Sequence, residues 1–438
     1  MGAADRGRPA HGGGAKPELS RRVGDLLAQP RDGRRPLDDA GARHAVLRQG
    51  RAWADRARRA RVAGVPVPRD RRLRGRIVIA DPVFAAQFDA LAAFAGSSVR
   101  GGEVLFAALR GERADYLRLN RARVRQAGTV ERSVATLRLI DAGRQARMAV
   151  TLGERAAIGE GLAGALDALR GAVAQLPSDP YACWQPLPSG SERIERGSAA
   201  DPAAAIDAIV GASDGDDLVG LFAGGPVVRA LASSLGHRHY HEAVSSSFDF
   251  SVQSDGHRAV KETWSSDRWD AQSLQATIVA ARERARILLR APRRLDPGDY
   301  RVLLSPRALA DLVALLGWGG FSERAWRSGQ SPLARAWRGE AAFHSAFGVV
   351  DDADALGVPR FQSDGFERPA RVPLIVDGRP AQRLVSPRSA REFDVATNGA
   401  DDDEHPPAAC VAPGGLPDAQ ALSALDTGVA IANLWYLN

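Results

Sequence analysis

The chain has 438 residues, of which 45% are hydrophobic and 25% are charged, a composition typical of a soluble protein with two or three domains. Its net charge of +7 comes from residues 1–75, where 19 basic side chains stand against 8 acidic ones, while the remaining chain carries 40 against 44. This distribution argues against nucleic-acid binding by the folded part. No uninterrupted apolar run of about 18 residues is found, which argues against a membrane-spanning helix.

The first 75 residues are rich in arginine, glycine and proline, and Trp53 is the one aromatic residue among them. Such a segment can bury little apolar surface, so we predict an Arg-rich, disordered extension over residues 1–75. It has no apolar run after its basic residues, so a secretory signal is not expected. The two cysteines, Cys183 and Cys410, form no CxxC pair, which favours a cytoplasmic protein in a reducing compartment.

An N-terminal strand-rich domain is predicted over residues 76–153. Asp81 and Pro82 mark the start of a helix, because aspartate caps helices and proline suits their first turn. Residues 102–153 then alternate polar and apolar side chains, with turns expected at "RQAGTVE" and "IDAGRQ". Alternation broken by turns predicts antiparallel strands joined as a meander.

A middle domain is predicted over residues 154–292, and a C-terminal domain over residues 293–438. The middle domain is expected to contain, in order, a helix over 154–176, a helix from Asp201, strands within 216–266 and an amphipathic helix over 270–292. The C-terminal domain opens with a strand, "YRVLLS", and a helix from Pro306. Its acidic run "DDDEH", residues 401–405, is predicted to be a solvated loop. Helices and antiparallel strands without regular βαβ alternation predict an α+β fold.

Three histidines, His237, His239 and His241, lie two residues apart in "LGHRHYHEAVSS". The flanks predict a strand, on which the first and third would be about 13 Å apart, too far to share one zinc ion. The "HEAV" that follows is similar to a zinc-protease signature, which requires a helix and a second histidine where serines stand here. A polar face of a sheet is the simpler interpretation. The alternative is a self-sufficient metal-dependent hydrolase that uses His237, His239 and Glu242 with a distant group.

Several stretches, taken together in their order, resemble the TldD/PmbA family of metallopeptidases over residues 84–438. They are "ADYLRLNRARVRQAGTVERSVATLRLI", "DPGDYRVLLSPRALADLV", "GEAAFHSAFGVVDDADALGVPRFQSDGFERPARVPLIVDGRPAQRLVSPRSAREF" and "GVAIANLWYLN". Family members continue past the last of these with further strands, so the resemblance implies a C-terminal domain truncated at its end.

The resemblance implies a subunit without catalytic residues. TldD-type members carry an HExxxH zinc helix soon after the proline that opens the C-terminal domain; PmbA (TldE)-type members lack it and pair with the first type. Here Ala314 stands at the position of the first histidine, Leu315 at that of the glutamate and Gly319 at that of the second histidine. The expected protein is therefore PmbA-like and inactive alone, with no cofactor of its own, no nucleic-acid ligand and no membrane contact. Its partners would be a TldD-like subunit that carries the zinc, in a heterodimer, and a peptide substrate. A pure scaffold protein is the other alternative.

Overall fold

The computed structural model describes residues 80–434 apart from 154–157, 196 and 256. The extension predicted over residues 1–75 lies outside the described residues. Helices and mainly antiparallel sheets make up the described chain, which confirms the α+β class. None of its helices has the length and apolar character needed to cross a bilayer.

A seven-stranded sheet dominates the first two thirds of the described chain. Its strands are β1 (Val104–Asn120), β2 (Arg123–Asp141), β3 (Arg144–Leu152), β4 (Gly190–Ile194), β5 (Asp217–Ser233), β6 (Arg238–Gln253) and β7 (Ala259–Ser266). The order is β3-β2-β1-β5-β6-β4, with β7 pairing the second half of β6. Only the β4–β6 pairing within this sheet is parallel. Because β1 pairs with β5, strands of the predicted segments 76–153 and 154–292 lie in one sheet.

The predicted meander is confirmed, since β1, β2 and β3 follow one another antiparallel. The turn expected at "IDAGRQ" forms at Ala142 and Gly143, which both have positive φ. The turn expected at "RQAGTVE" is wrong, because those residues continue β2 and the chain reverses earlier, at Arg121 and Ala122. Both of these residues adopt the left-handed conformation, which is rare for side chains larger than glycine, so no local turn signal marks the reversal.

Four helices pack against one face of this sheet. They are α1 (Pro82–Ser97), α2 (Ile158–Val173), α3 (Pro202–Ala212) and α4 (Ala271–Ile287). Asp81, Asp201 and Asp270 cap α1, α3 and α4 by accepting hydrogen bonds from backbone N–H groups of the first turn, as aspartate does at helix starts. The first two helices cover one half of the sheet and the last two the other half, each half with its own apolar core.

One ladder of the sheet, between β1 and β5, is interrupted between these two cores. The β1–β5 ladder runs from Phe106 to Glu112 and resumes only at Asp115. Within the gap, Gly225 of β5 has a φ of +152°, and a Cβ atom there would lie 2.1 Å from the carbonyl oxygen of Arg113. Only glycine therefore fits this close approach of two backbones.

The C-terminal domain begins with the predicted strand and helix. These are β8 (Val302–Leu304) and α5 (Pro306–Leu316), the latter capped by the Ser305 hydroxyl, which accepts a hydrogen bond from Ala308 N–H at 3.1 Å. The elements that follow are α6 (Glu323–Arg327), α7 (Ala334–Trp337), β9 (Val349–Asp352), β10 (Arg371–Val376), β11 (Arg379–Pro380), α8 (Pro387–Phe393), β12 (Ala409–Val411), α9 (Asp418–Leu425) and β13 (Val429–Ile431). Strands β11-β10-β9-β12 form one sheet, and β13 runs parallel to β8.

Candidate functional site

The segment aligned with a zinc helix has neither the side chains nor the backbone for a metal. Ala314 and Leu315 lie in the last turn of α5, and the helix ends at Leu316. Gly319 lies beyond that end, with a φ of +82°. Alkyl side chains offer no lone pair to zinc, and a residue outside the helix does not share its face. Zinc therefore does not fit these residues.

One imidazole does lie against this helix end. A Cβ atom on Gly317 would be 2.9 Å from Nε2 of His405. The other ring nitrogen of His405 lies 2.9 Å from the carbonyl oxygen of Pro406. Across the described residues, no group of three or more His, Cys, Asp or Glu side chains is placed to hold a metal ion.

The histidines near the start of β6 are buried and engaged with neighbouring polar groups. His239 is fully buried, and its Nε2 and Nδ1 lie 3.0 and 2.8 Å from the hydroxyls of Ser189 and Ser191. Its ring stacks on Phe361 of the C-terminal domain, with centroids 4.9 Å apart. His241 Nε2 lies 3.1 Å from the carbonyl oxygen of Gly357. These contacts make the predicted polar face of the sheet part of the contact surface with the C-terminal domain.

His237 comes just before β6 and packs between Phe106 and His239, with ring centroids 5.5 and 6.4 Å away. Its Nδ1 lies 2.7 Å from the Ser233 hydroxyl, while its Nε2 has no hydrogen-bond partner within the described chain. Burial lowers the pKa of both His237 and His239. Both rings are therefore neutral near pH 7.

Glu242 points to the other face of β6, because successive side chains of a strand alternate. Its carboxylate accepts hydrogen bonds from the Tyr240 hydroxyl at 2.7 Å and from Asp81 N–H at 3.0 and 3.2 Å. Burial raises the pKa of Glu242, and it also raises the pKa of Tyr240. The alternative site of His237, His239 and Glu242 is therefore not brought together: the sheet separates the carboxylate from His239, and both His239 nitrogens already face serine hydroxyls.

A cleft of about 500 Å³ lies between the histidine-bearing face of the sheet and the C-terminal domain. Arg110, Arg229 and His241 occupy neighbouring positions on β1, β5 and β6, so their side chains share this face. The loop with Asp401 and Asp402 lines the cleft from the other side. Guanidinium groups bind carboxylates strongly, so this floor suits the binding of an anionic group.

A buried ionic cluster fixes the C-terminal domain to the sheet beside this cleft. Arg138 on β2 and Arg147 on β3 are direct cross-strand neighbours. The Asp364 carboxylate lies between them, accepting a hydrogen bond from Arg147 Nη2 at 3.0 Å and another from Arg138 Nη1. Burial raises the pKa of Asp364 and lowers that of Arg138, against their mutual attraction. The charged form of each group is thus stabilised by the charge of the other.

The acidic loop contains a second buried carboxylate. The prediction of a solvated loop at residues 401–405 is wrong for Glu404, which is 0% exposed, while its three acidic neighbours are exposed. Glu404 accepts hydrogen bonds from the N–H groups of Arg324 and Ser386 at 2.9 Å, and from the hydroxyls of Ser322 and Ser386. Those serines cap α6 and α8, so one carboxylate joins two helix starts.

The C-terminal part of the chain matches a known protein family. Residues 297–438 match the model of a family described as "PmbA/TldA metallopeptidase C-terminal domain". This C-terminal domain belongs to the TldD/PmbA family. None of the curated proteins matches it by sequence.

Three solved structures share the fold over most of the chain. A candidate modulator of a DNA gyrase from Thermotoga maritima has 16% identity and a TM-score of 0.61, covering 80% of this chain and 82% of its own. TldE from Thermococcus kodakarensis has 15% identity and a TM-score of 0.59, with 80% and 83% covered. A candidate modulator of DNA gyrase from Bacteroides thetaiotaomicron has 12% identity and a TM-score of 0.57, with 77% and 78% covered. At these identities the similarity shows a shared fold.

Proposed function

We propose that this chain is a non-catalytic, TldE-like subunit that holds a peptide substrate for a zinc-bearing TldD-like partner in the cytoplasm. The observation that carries this proposal is the chemistry of α5. Ala314, Leu315 and Gly319 replace the three residues that would bind zinc and accept a proton, and the helix stops before the third of them. A subunit of this family with such a helix needs another chain for hydrolysis, and no cofactor of its own.

The cleft supports a role in holding the peptide. Its floor presents guanidinium groups from Arg110 and Arg229, and its volume of about 500 Å³ accommodates several residues of an extended chain. Because β1 and β5 are paired on both sides at these positions, side chains and not a free strand edge supply the contacts in this cleft. The cytoplasmic assignment is supported by the two cysteines, neither of which forms a disulfide.

The decisive experiment compares the chain alone with the chain mixed with a TldD-like protein that carries HExxxH. Fluorescently labelled casein, an unstructured polypeptide, serves as the substrate. We expect no cleavage by the chain alone, with or without added Zn²⁺, because α5 offers no ligand. With the partner we expect cleavage at least tenfold faster than by the partner alone, since one subunit then positions the peptide that the other hydrolyses.

Two results would contradict the proposal. Cleavage by the chain alone that a chelator abolishes would place the catalytic metal here, and zinc content measured in wild type and His239→Ala would locate it. Stable association that leaves the partner's rate unchanged would indicate a scaffold. Two variants form a matched pair. Arg229→Gln is expected to raise KM for casein. Arg293→Gln changes an exposed loop residue that does not line the cleft and is expected to leave KM unchanged.

A further inference from the structure

The outer ends of β1 and β2 form a hairpin that extends past the rest of the sheet edge. We call residues 116–132 the hairpin arm. β3 pairs with β2 only over residues 133–141. Residues 123–132, apart from Arg125 at a β-bulge, therefore pair with β1 on one side, and no strand of the described chain lies on the other side. Eight of these ten residues are exposed, so an edge of main-chain N–H and C=O groups faces solvent.

The hairpin arm is strongly basic. It carries five arginines and one acidic residue, Glu131; the arginines are Arg118, Arg121, Arg123, Arg125 and Arg132. None of the five forms an ion pair with a described residue. Glu131 itself lies 3.9 Å from Arg113. The charge of this edge thus contrasts with the slightly acidic balance of the chain after residue 75.

The charges decide which polypeptide fits the edge. Antiparallel pairing with the same edge of a second copy, in register over residues 123–132, would place Arg123 opposite Arg132, and like charges in that position destabilise a pair. The arginine-rich segment 1–75 would be repelled for the same reason. Nucleic acid could neutralise the positive charge but has no peptide main chain to form hydrogen bonds with the strand edge. An extended, acidic polypeptide satisfies both features.

We propose that the free edge of the hairpin arm binds an acidic segment of the peptide substrate as an added strand. The identity of that peptide as the substrate rests on the proposed function. Main-chain hydrogen bonds supply the affinity, and the arginines select the sequence. Arg125 is the unpaired residue of a β-bulge, between the Arg118–Gln126 and Leu119–Val124 pairs, and Arg123 lies two residues before it. Two glutamate or aspartate residues close together on the peptide will therefore meet both guanidinium groups at this end of the edge.

Binding to the purified chain, without a partner, tests this proposal by fluorescence anisotropy. The first probe is a labelled ten-residue peptide with glutamate at alternate positions and threonine between them. The second is the same peptide N-methylated at every other residue, which keeps its charge but removes main-chain donors. The third has lysine in place of glutamate. We expect the first to bind, and the other two to bind at least tenfold more weakly at the same ionic strength.

A double variant tests the arginines. Arg123→Gln with Arg125→Gln is expected to weaken binding of the first probe about tenfold. Arg293→Gln with Arg294→Gln removes two exposed charges from a loop outside the hairpin arm and is expected to have no effect. Equal binding of the N-methylated peptide would overturn strand addition, and equal binding by the two double variants would overturn the role of these arginines.

The complex with the TldD-like partner separates this proposal from the proposed function. There, the Arg123/Arg125 double variant is expected to raise KM for cleavage of a longer peptide that contains the acidic segment, with kcat unchanged. Cleavage that is insensitive to the variant, despite lost binding, would show that the bound peptide is not the substrate. Absence of any cleavage together with normal binding of the first probe would instead contradict the proposed function.

Discussion

Replacement of Asp364 by asparagine is expected to destabilise the protein by about 3–5 kcal/mol, the usual range when one partner of a buried ion pair is removed. Arg138 and Asp364 are both about 95% buried, and Arg147 directly neighbours Arg138 across the strand pair. Asparagine keeps the size but not the charge, so the buried guanidinium of Arg138 would lose its anion, while Arg147 would keep only the half-exposed Asp402. Urea unfolding, followed by tryptophan fluorescence, measures the loss.

The matched control is Asp354→Asn. Asp354 pairs with Arg193 at 2.7 Å, but its side chain is 51% exposed, and pairs of this kind contribute below about 1 kcal/mol. Combining Asp364→Asn with Arg138→Met should recover part of the loss, because the uncompensated buried charge is then removed too. Similar effects of the two asparagine substitutions would refute the buried-pair argument.

Replacement of Glu404 by alanine is expected to cost about 3–5 kcal/mol, because a buried donor left without a partner costs roughly 1–3 kcal/mol. Two backbone N–H groups, of Arg324 and Ser386, would lose their acceptor at once. The negative charge at two helix N-termini would be lost as well. The apparent free energy of unfolding in urea is again the measurement, and proteolysis near α6 and α8 should become faster as their first turns loosen.

Glu392→Ala is the control for this second prediction. Glu392 lies on α8 with an exposed side chain, so the same substitution should change stability by less than about 0.5 kcal/mol. Glu404→Gln is expected to fall between the two, since an amide retains one acceptor oxygen but turns an NH₂ group toward the remaining N–H donors. A Glu404→Ala variant as stable as Glu392→Ala would show that the joint between the helices is unimportant.

The sequence was sufficient for the elements whose signals are local. Alternation located the long strands, and Asp81 and Pro306 marked helix starts. The spacing of the three histidines excluded one metal shared by all three on a strand. The residues at 314, 315 and 319 could be judged without a structure, because alkyl side chains cannot bind zinc in any conformation. The early reversal at Arg121 and Ala122 could not be predicted, since neither residue favours a left-handed backbone.

The contacts between distant segments could not be predicted from the sequence. Asp364 meets Arg138 from 226 residues away, and Glu404 meets two helices whose starts lie 82 and 18 residues before it. Hydrophobic pattern says nothing about which charges will meet. One local signal was present for Arg138. In "VATLRLI" a single arginine stands among the apolar residues of a predicted strand. A buried arginine there requires an acidic partner. No comparable signal exists for Glu404, which sits in a polar run.

The position of β1 in the centre of the large sheet has a consequence during synthesis. One edge of β1 can pair as soon as β2 has been synthesised. The other edge can pair only after β5 has been synthesised, because Asn120 pairs with Val219 and Phe106 with Ser233. At ribosomal rates this delay of about a hundred residues lasts roughly 5–20 s. The nascent chain therefore exposes the unpaired edge of β1 in the cell for that time. We expect the yield of folded protein to depend on chaperones that bind nascent chains.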